Sequence, residues 1–282
     1  MQIKKLKLRK LNNTRDIGGF PAADGLYIRP GMLIRSGKLY RLPKITKKTL
    51  KAIGVKVVID LRIDNEVDQY PPCMLEGTKY IHIPLLTTAK PGITYEKRSM
   101  PSLMKEESTL IETEFKDAYE YMHRIYTDVL FDKESQESIR KVFDVFLTED
   151  GCILWNCSGG KDRAGIIAML LESVLGVPED LIIQDYMASQ EFQRRKRSTQ
   201  KRLLKLVPGY RRFKELLIAF MDARPEYITQ AMDTMKEQYG SVMGYCKEAL
   251  GLTDGDIRTL RDKYLCKSYR MPDETDPNAI IL

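Results

Sequence analysis

Histidine is scarce in this chain: its 282 residues include only two, His82 and His123, far apart and in no HExxH-like setting. Metal hydrolases draw on clustered His, Cys and carboxylate ligands, so no metal site is expected, and no organic cofactor either. Cysteine is sparse and odd in number, with thiols at 73, 152, 157, 246 and 266 and no CxxC pair. That pattern excludes a disulfide framework and fits free thiols in a reducing compartment. Long apolar runs are missing too. Runs such as IIAMLL and, beyond Glu172, SVLGV fall far short of the roughly 20 residues that span a bilayer. The basic start MQIKKLKLRKL leads into no apolar stretch with a small-residue cleavage site, so a cytoplasmic setting is the expectation. No repeat, low-complexity tract or linker divides the chain. Residues 1–282 are therefore read as a single domain, with a helical lid or C-terminal part over 186–265.

What is present is enough apolar sequence, 43% of residues, to build a substantial core. A net charge of +7 favours anionic ligands, and charge alone does not choose among phosphorylated substrates, acidic lipid and nucleic acid. Four short segments rich in β-branched or aromatic residues read as strands: MLIRS (32–36), VKVVIDL (55–61), YIHIPL (80–85) and CILWN (152–156). Between the first two, ITKKTLKAIG puts Leu50 and Ile53 on one helical face ahead of a capping Gly54. Apolar residues from Phe115 to Val129 recur at three- and four-residue steps, and SQESIRKVFDVFLTEDG repeats the signal. Strands alternating with helices predict an α/β fold with a central, mainly parallel sheet flanked by helices. The last third reads as helical throughout, with Pro225 at a first helical position, Gly240 as a stop, and Ser241 and Thr253 as N-caps.

The chemistry lies in CILWNCSGGKDRAGIIAMLLESVLGV, a buried strand, a glycine-containing turn and a helix. A tight loop entering a helix start converges backbone N–H groups and partial positive charge on an anion. Gly159 and Gly160 supply the positive φ such a loop needs. Cys157 opens the loop, and Arg163 follows after five residues with a planar fork suited to two phosphate oxygens. A helix start and a nearby Arg also favour a thiolate. The bland alternative is a buried structural cysteine followed by a chance arginine.

At this loop the sequence resembles a known family, the atypical bacterial-type tyrosine/serine and dual-specificity phosphatases, whose loop typically reads HCxxGKDRTG. NNTRDIGGF (12–20) is similar to the family's RDxGG segment, RSGKLYRL (35–42) to its RSxxL segment, and VVIDLRIDNEV (57–67) to its DLRxxxE strand and turn. YMASQEF, RPEYITQAMDTMKEQYGSV and GLTDGDIRTLRDKYL are similar to its helical tail. The resemblance implies a cysteine-phosphatase-like fold and a phosphocysteine mechanism. Cys157 would be the nucleophile, Ser158, Gly159, Gly160 and Lys161 part of the phosphate cradle, and Arg163 the clamp on the transferring group. Asp162 would be the general acid, with Asp60 as the competing candidate or else a structural partner of Arg62 or Arg15. Ala164, Gly165, Asp60 and Arg62 complete the expected substrate-binding set. Lys161 would add a second positive charge for a multiply phosphorylated head group, or else be a solvated loop lysine. Two positions depart from the pattern: the His before the nucleophile is Asn156, and the Thr or Ser after the Arg is Ala164. A working but slow enzyme is expected.

The basic run 194–214, RRKRSTQKRLLKLVPGYRRFK, is either the solvated face of a helix or a rim attracting an acidic membrane surface. Expected partners are a phosphorylated protein or a phosphoinositide, and no nucleic acid, because no recognition motif accompanies the charge. Two rival readings stand. SGGKD resembles the pyrophosphate loop of ATP pyrophosphatases, although it lies past the midpoint of the chain and ends in Arg163. A phosphate- or phosphoinositide-binding module with weak catalysis is the other.

Overall fold

The computed structural model describes residue 3 and residues 5–90, 93, 94, 115, 117–194, 198, 199, 202 and 210–268, with the backbone alone at 210–213. Most of the basic run 194–214 therefore lies outside the described residues. The strands are β1 (Arg15–Asp16), β2 (Tyr27–Ile28), β3 (Leu33–Ser36), β4 (Val55–Asp60), β5 (Lys79–His82), β6 (Cys152–Asn156) and β7 (Leu265–Cys266). The helices are α1 (Lys44–Ile53), α2 (Asp64–Gln69), α3 (Ala118–Phe131), α4 (Lys133–Thr148), α5 (Asp162–Leu175), α6 (Glu179–Phe192), α7 (Tyr210–Met221), α8 (Pro225–Tyr239), α9 (Val242–Glu248) and α10 (Asp254–Tyr264).

Five strands form one sheet in the order β1-β3-β6-β4-β5, parallel throughout except for β1, which runs antiparallel to β3. The expected α/β architecture with a mainly parallel sheet is thus the observed one. All five residues of β6 are buried between β3 and β4, as a strand covered on both faces requires. Its side chains alternate. Ile153 and Trp155 join the larger core with α3–α6 and α8–α10, while Cys152 and Leu154 join a smaller core with Leu6, Leu11, Leu50 and Ile53. The antiparallel β1 was not anticipated, because two residues are too few to show a period of two.

The helix signals act locally as expected. Gly54 ends α1 in the left-handed region with φ 89°, and Ser241 and Thr253 accept from the backbone N–H groups of Gly244 and Asp256. Periodicity predicted a helix from residue 115, but α3 starts at Ala118, because the Asp117 carboxylate accepts from the N–H groups of Tyr119 and Glu120 and fixes the start there. Helix α5 is buried on nearly every side, so it runs from the loop through the middle of the molecule. The site-bearing loop therefore sits at the carboxyl end of a central strand, anchored on a helix that cannot shift without disturbing the core.

Candidate active site

Between β6 and α5 the chain turns through Cys157 to Lys161, and its shape is set from behind. Asn13 Nδ2 donates to the carbonyls of Gly160 (2.8 Å) and Gly159 (3.3 Å), and Gln193 Nε2 also donates to Gly159 (3.1 Å). Arg35 Nη2 donates to the carbonyls of Gly160 (3.1 Å) and Lys161 (3.0 Å), and Lys38 N reaches that of Ser158 at 3.4 Å. In a planar trans peptide the N–H points opposite its carbonyl. Outward carbonyls from Ser158 to Lys161 thus turn the following amides inward, and Gly160 N is seen donating to Cys157 Sγ at 3.2 Å. Cys157 is 1% exposed. Of the two loop glycines only Gly160 takes positive φ, 68°, which narrows the expectation made for both.

The arginines of the RDxGG-like and RSxxL-like segments, Arg15 and Arg35, hold this support in place. Arg15 and Arg35 both pair with Asp185 of α6, Arg15 through Nε at 2.6 Å, and all three are buried. Burial first, then the charge of Arg35, lowers the Arg15 pKa to about 10 against the pull of Asp185. Gly165 must be small: a Cβ there would stand 3.0 Å from Arg35 Nη2 and 3.1 Å from the Tyr186 ring. The Ala164 carbonyl accepts from Trp155 Nε1 at 3.0 Å, tying the helix start to the core.

Arg163 is fully buried, and Glu66 of α2 meets it with two bonds, 2.6 Å to Nη1 and 2.9 Å to Nη2. The carbonyls of Leu61 and Ile93 take further donors, which leaves Arg163 Nε buried without a partner among the described residues. Burial alone would lower the Arg163 pKa, but the Glu66 charge and hydrogen bonds outweigh it, and the pKa rises above its ordinary value. Glu66 also accepts from Ser158 Oγ (2.5 Å) and Ile63 N (3.2 Å), so one carboxylate links clamp, loop and α2. Glu66 is the Glu of the DLRxxxE segment, which by itself gives it no role at the clamp.

Asp162 lies at the first position of α5, accepts from Tyr126 OH at 2.5 Å and forms an ion pair with Lys161 Nζ at 3.2 Å. Lys161 in turn donates to the carbonyls of Phe220 (2.8 Å) and Asp222 (3.0 Å), where α7 ends. It is therefore 6% exposed and held by protein on three sides. Asp60 and Arg62 are directed at each other: Arg62 Nη2 is 2.6 Å from Asp60, and its Nη1 donates to the carbonyls of Tyr70 and Glu66. The Asp60 carboxylate additionally accepts from Tyr80 OH (3.0 Å) and Asn156 Nδ2 (3.0 Å). The structure thus gathers Cys157 to Gly165 in one loop and helix start, and places Asp60 and Arg62 in a neighbouring closed network. Among the described residues no group of three His, Cys, Asp or Glu is arranged to hold a metal, and no helix is long and apolar enough to cross a membrane.

Comparison with known proteins adds a second line of observation. The sequence profile described as "Tyrosine phosphatase family" matches residues 6–266. The "Triple specificity protein phosphatase PtpB" of Mycobacterium tuberculosis is 27% identical over 267 residues, covering 88% of this chain and 95% of that protein. A Cupriavidus necator protein named among the tyrosine-protein phosphatases is 27% identical over 258 residues, covering 90% and 86%. A crystal structure of Pseudomonas aeruginosa TpbA in complex with phosphotyrosine aligns with 74% of this chain and 88% of its own, at 14% identity and a TM-score of 0.27.

Proposed function

Because the chain belongs to the tyrosine phosphatase family, we propose that it hydrolyses phosphomonoesters through a phosphocysteine, with phosphotyrosine as the leading substrate. One observation carries this reading. Within a single turn of chain, the Cys157 sulfur accepts from the Gly160 amide and lies within electrostatic reach of Arg163, whose Nε has no partner among the described residues. In the first step the Cys157 thiolate attacks phosphorus, forming the S–P bond as the ester P–O bond breaks. Asp162 gives its proton to the departing oxygen and is left as the carboxylate. Asp162 then takes a proton from a water molecule that attacks phosphorus, and the S–P bond breaks with its electron pair returning to sulfur. Inorganic phosphate leaves, and both groups are restored. Arg163 and the loop amides bear the charge that spreads over the equatorial oxygens.

Asp162 is preferred over Asp60 as the acid because the Asp60 carboxylate is already taken up by Arg62, Tyr80 and Asn156. The proposed substrate range extends to phosphoserine, phosphothreonine and phosphoinositides. The name of the mycobacterial relative, which says triple specificity of that protein, supports this breadth. The test is phosphate release from p-nitrophenyl phosphate, phosphopeptides and phosphoinositide vesicles, by wild type and Cys157→Ser. Wild type is expected to turn over phosphotyrosyl peptide fastest, and Cys157→Ser to lose about three orders of magnitude or more. Equal rates would remove Cys157 from the reaction. Tight phosphopeptide binding by wild type without phosphate release would replace hydrolysis with binding.

A further inference from the structure

We propose that Tyr126, backed by Tyr186, is a positioning residue that fixes the Asp162 carboxyl for proton delivery to the leaving group. The inference rests on Asp162 being the acid. Tyr126 of α3 and Tyr186 of α6 are both buried to 1% exposure or less, and their hydroxyls stand 2.6 Å apart. Tyr126 OH also lies 2.5 Å from Asp162 Oδ1. A phenol has one proton to donate. With the Tyr126 proton directed at Asp162, the contact between the two hydroxyls must use the proton of Tyr186, so the chain has one direction: Tyr186 to Tyr126 to Asp162. Burial pushes both phenols well above their ordinary pKa and keeps them protonated donors.

The carboxyl is thereby oriented oxygen by oxygen. Oδ1 accepts from Tyr126 and faces the Lys161 ammonium as an ion pair, and Lys161 is itself pinned to the end of α7. An oxygen that already accepts one donor and faces an ammonium charge is a poor seat for a proton, so the transferable proton belongs on Oδ2. Tyr126 is held on its other side by the ring of Tyr227, 5.6 Å away between centroids. The acid is therefore aimed by core side chains from α3 and α6.

A residue that serves proton donation matters in proportion to how badly the leaving group needs a proton, whereas a residue that only supports the fold affects all substrates alike. The experiment measures kcat/KM, which reports the first transfer step, for aryl phosphates from p-nitrophenyl to unsubstituted phenyl and alkylphenyl. Wild type, Tyr126→Phe, Asp162→Asn and the double variant are compared. Tyr126→Phe is expected to lose no more than about threefold on p-nitrophenyl phosphate and about tenfold or more on phenyl phosphate, within the range general acids supply. The double variant is expected to fall no further than Asp162→Asn. Tyr186→Phe, which keeps the Tyr126 hydroxyl and removes its donor, is expected to show the same trend at smaller size. A leaving-group dependence in Asp162→Asn with a flat response in Tyr126→Phe, or an additive loss in the double variant, would overturn the role of Tyr126 alone. A flat response in Asp162→Asn would overturn the assignment of the acid, and this inference with it.

Discussion

A fully buried guanidinium is tolerated only where a carboxylate meets it, and removing one partner leaves an uncompensated charge. Arg163 has Glu66 in that role, with two bonds of 2.6 and 2.9 Å. Glu66→Gln keeps the shape and removes the charge. It is expected to lower the unfolding free energy in urea by about 3 kcal/mol and to reduce kcat/KM about tenfold or more, because the clamp loses its fixed plane. Unchanged values of both would show that Arg163 holds its place without Glu66. The same residue marks the limit of what a single sequence displays. The DLRxxxE segment marks both Asp60 and Glu66, and nothing local says which one reaches 97 residues along the chain to Arg163. Asp60 drew notice by standing at a strand end beside Arg62. Its carboxylate is instead closed off by Arg62, Tyr80 and Asn156. Asn13 and Arg35 were likewise visible only as parts of motifs, and their contact with the loop carbonyls depends on the sheet bringing β1 and β3 beside β6.

At the scale of elements, β6, its loop and α5 were legible because each has a local cause: a short apolar run, two glycines, and a helix pattern starting at the loop. Strands β3, β4 and β6 fall within the expected segments to a residue or two, since β-branched runs bounded by turns have a period to read. What sequence could not separate were the two glycines, because φ is decided by neighbours in space. At Gly160 a Cβ would lie 2.5 Å from Ser36 C and 2.6 Å from Gly37 N, in backbone already at φ 68°. At Gly159 the nearest such atom is Lys161 N at 4.0 Å. Gly160→Ala is therefore expected to push the loop off β3. Hydrolysis of p-nitrophenyl phosphate should fall about 100-fold or more, as when oxyanion donors are displaced, with a stability loss of about 2 kcal/mol from the strained φ. Gly159→Ala is expected to cost no more than a few-fold. Similar losses for the two variants would mean that the close approach to Ser36 does not shape the loop.

Taken whole, the molecule buries several ionisable groups, and these link its stability to pH. Asp16, at the sheet edge, is the clearest. Burial raises its pKa from the ordinary 3.8 to about 6, only partly opposed by the N–H groups of Gly31 (2.6 Å) and Gly18 (2.9 Å). A carboxyl with a raised folded-state pKa stabilises the fold while protonated, fully below pH 3.8, and that stabilisation is lost as pH rises through 6. The interval from 3.8 to 6 is 2.2 units; at about 1.4 kcal/mol per unit this one group removes on the order of 3 kcal/mol across it. Glu172 adds a slope of the same sign. Both its oxygens are buried without a hydrogen-bond partner among the described residues, and burial together with the charge of Asp185 raises its pKa despite Arg35 and Arg15. Asp185, Asp254 and Asp256 are shifted the other way, so their contribution is lost only on acidification below the ordinary carboxylate range and does not enter this window. Urea unfolding from pH 4 to 6.5 is therefore expected to give a wild-type free energy that falls with pH more steeply than that of Asp16→Asn. The variant should start lower at pH 4, since an amide oxygen cannot serve both Gly18 and Gly31, and the two curves should converge or cross near pH 6. Parallel curves across the whole interval would mean that Asp16 titrates alike in the folded and unfolded chain.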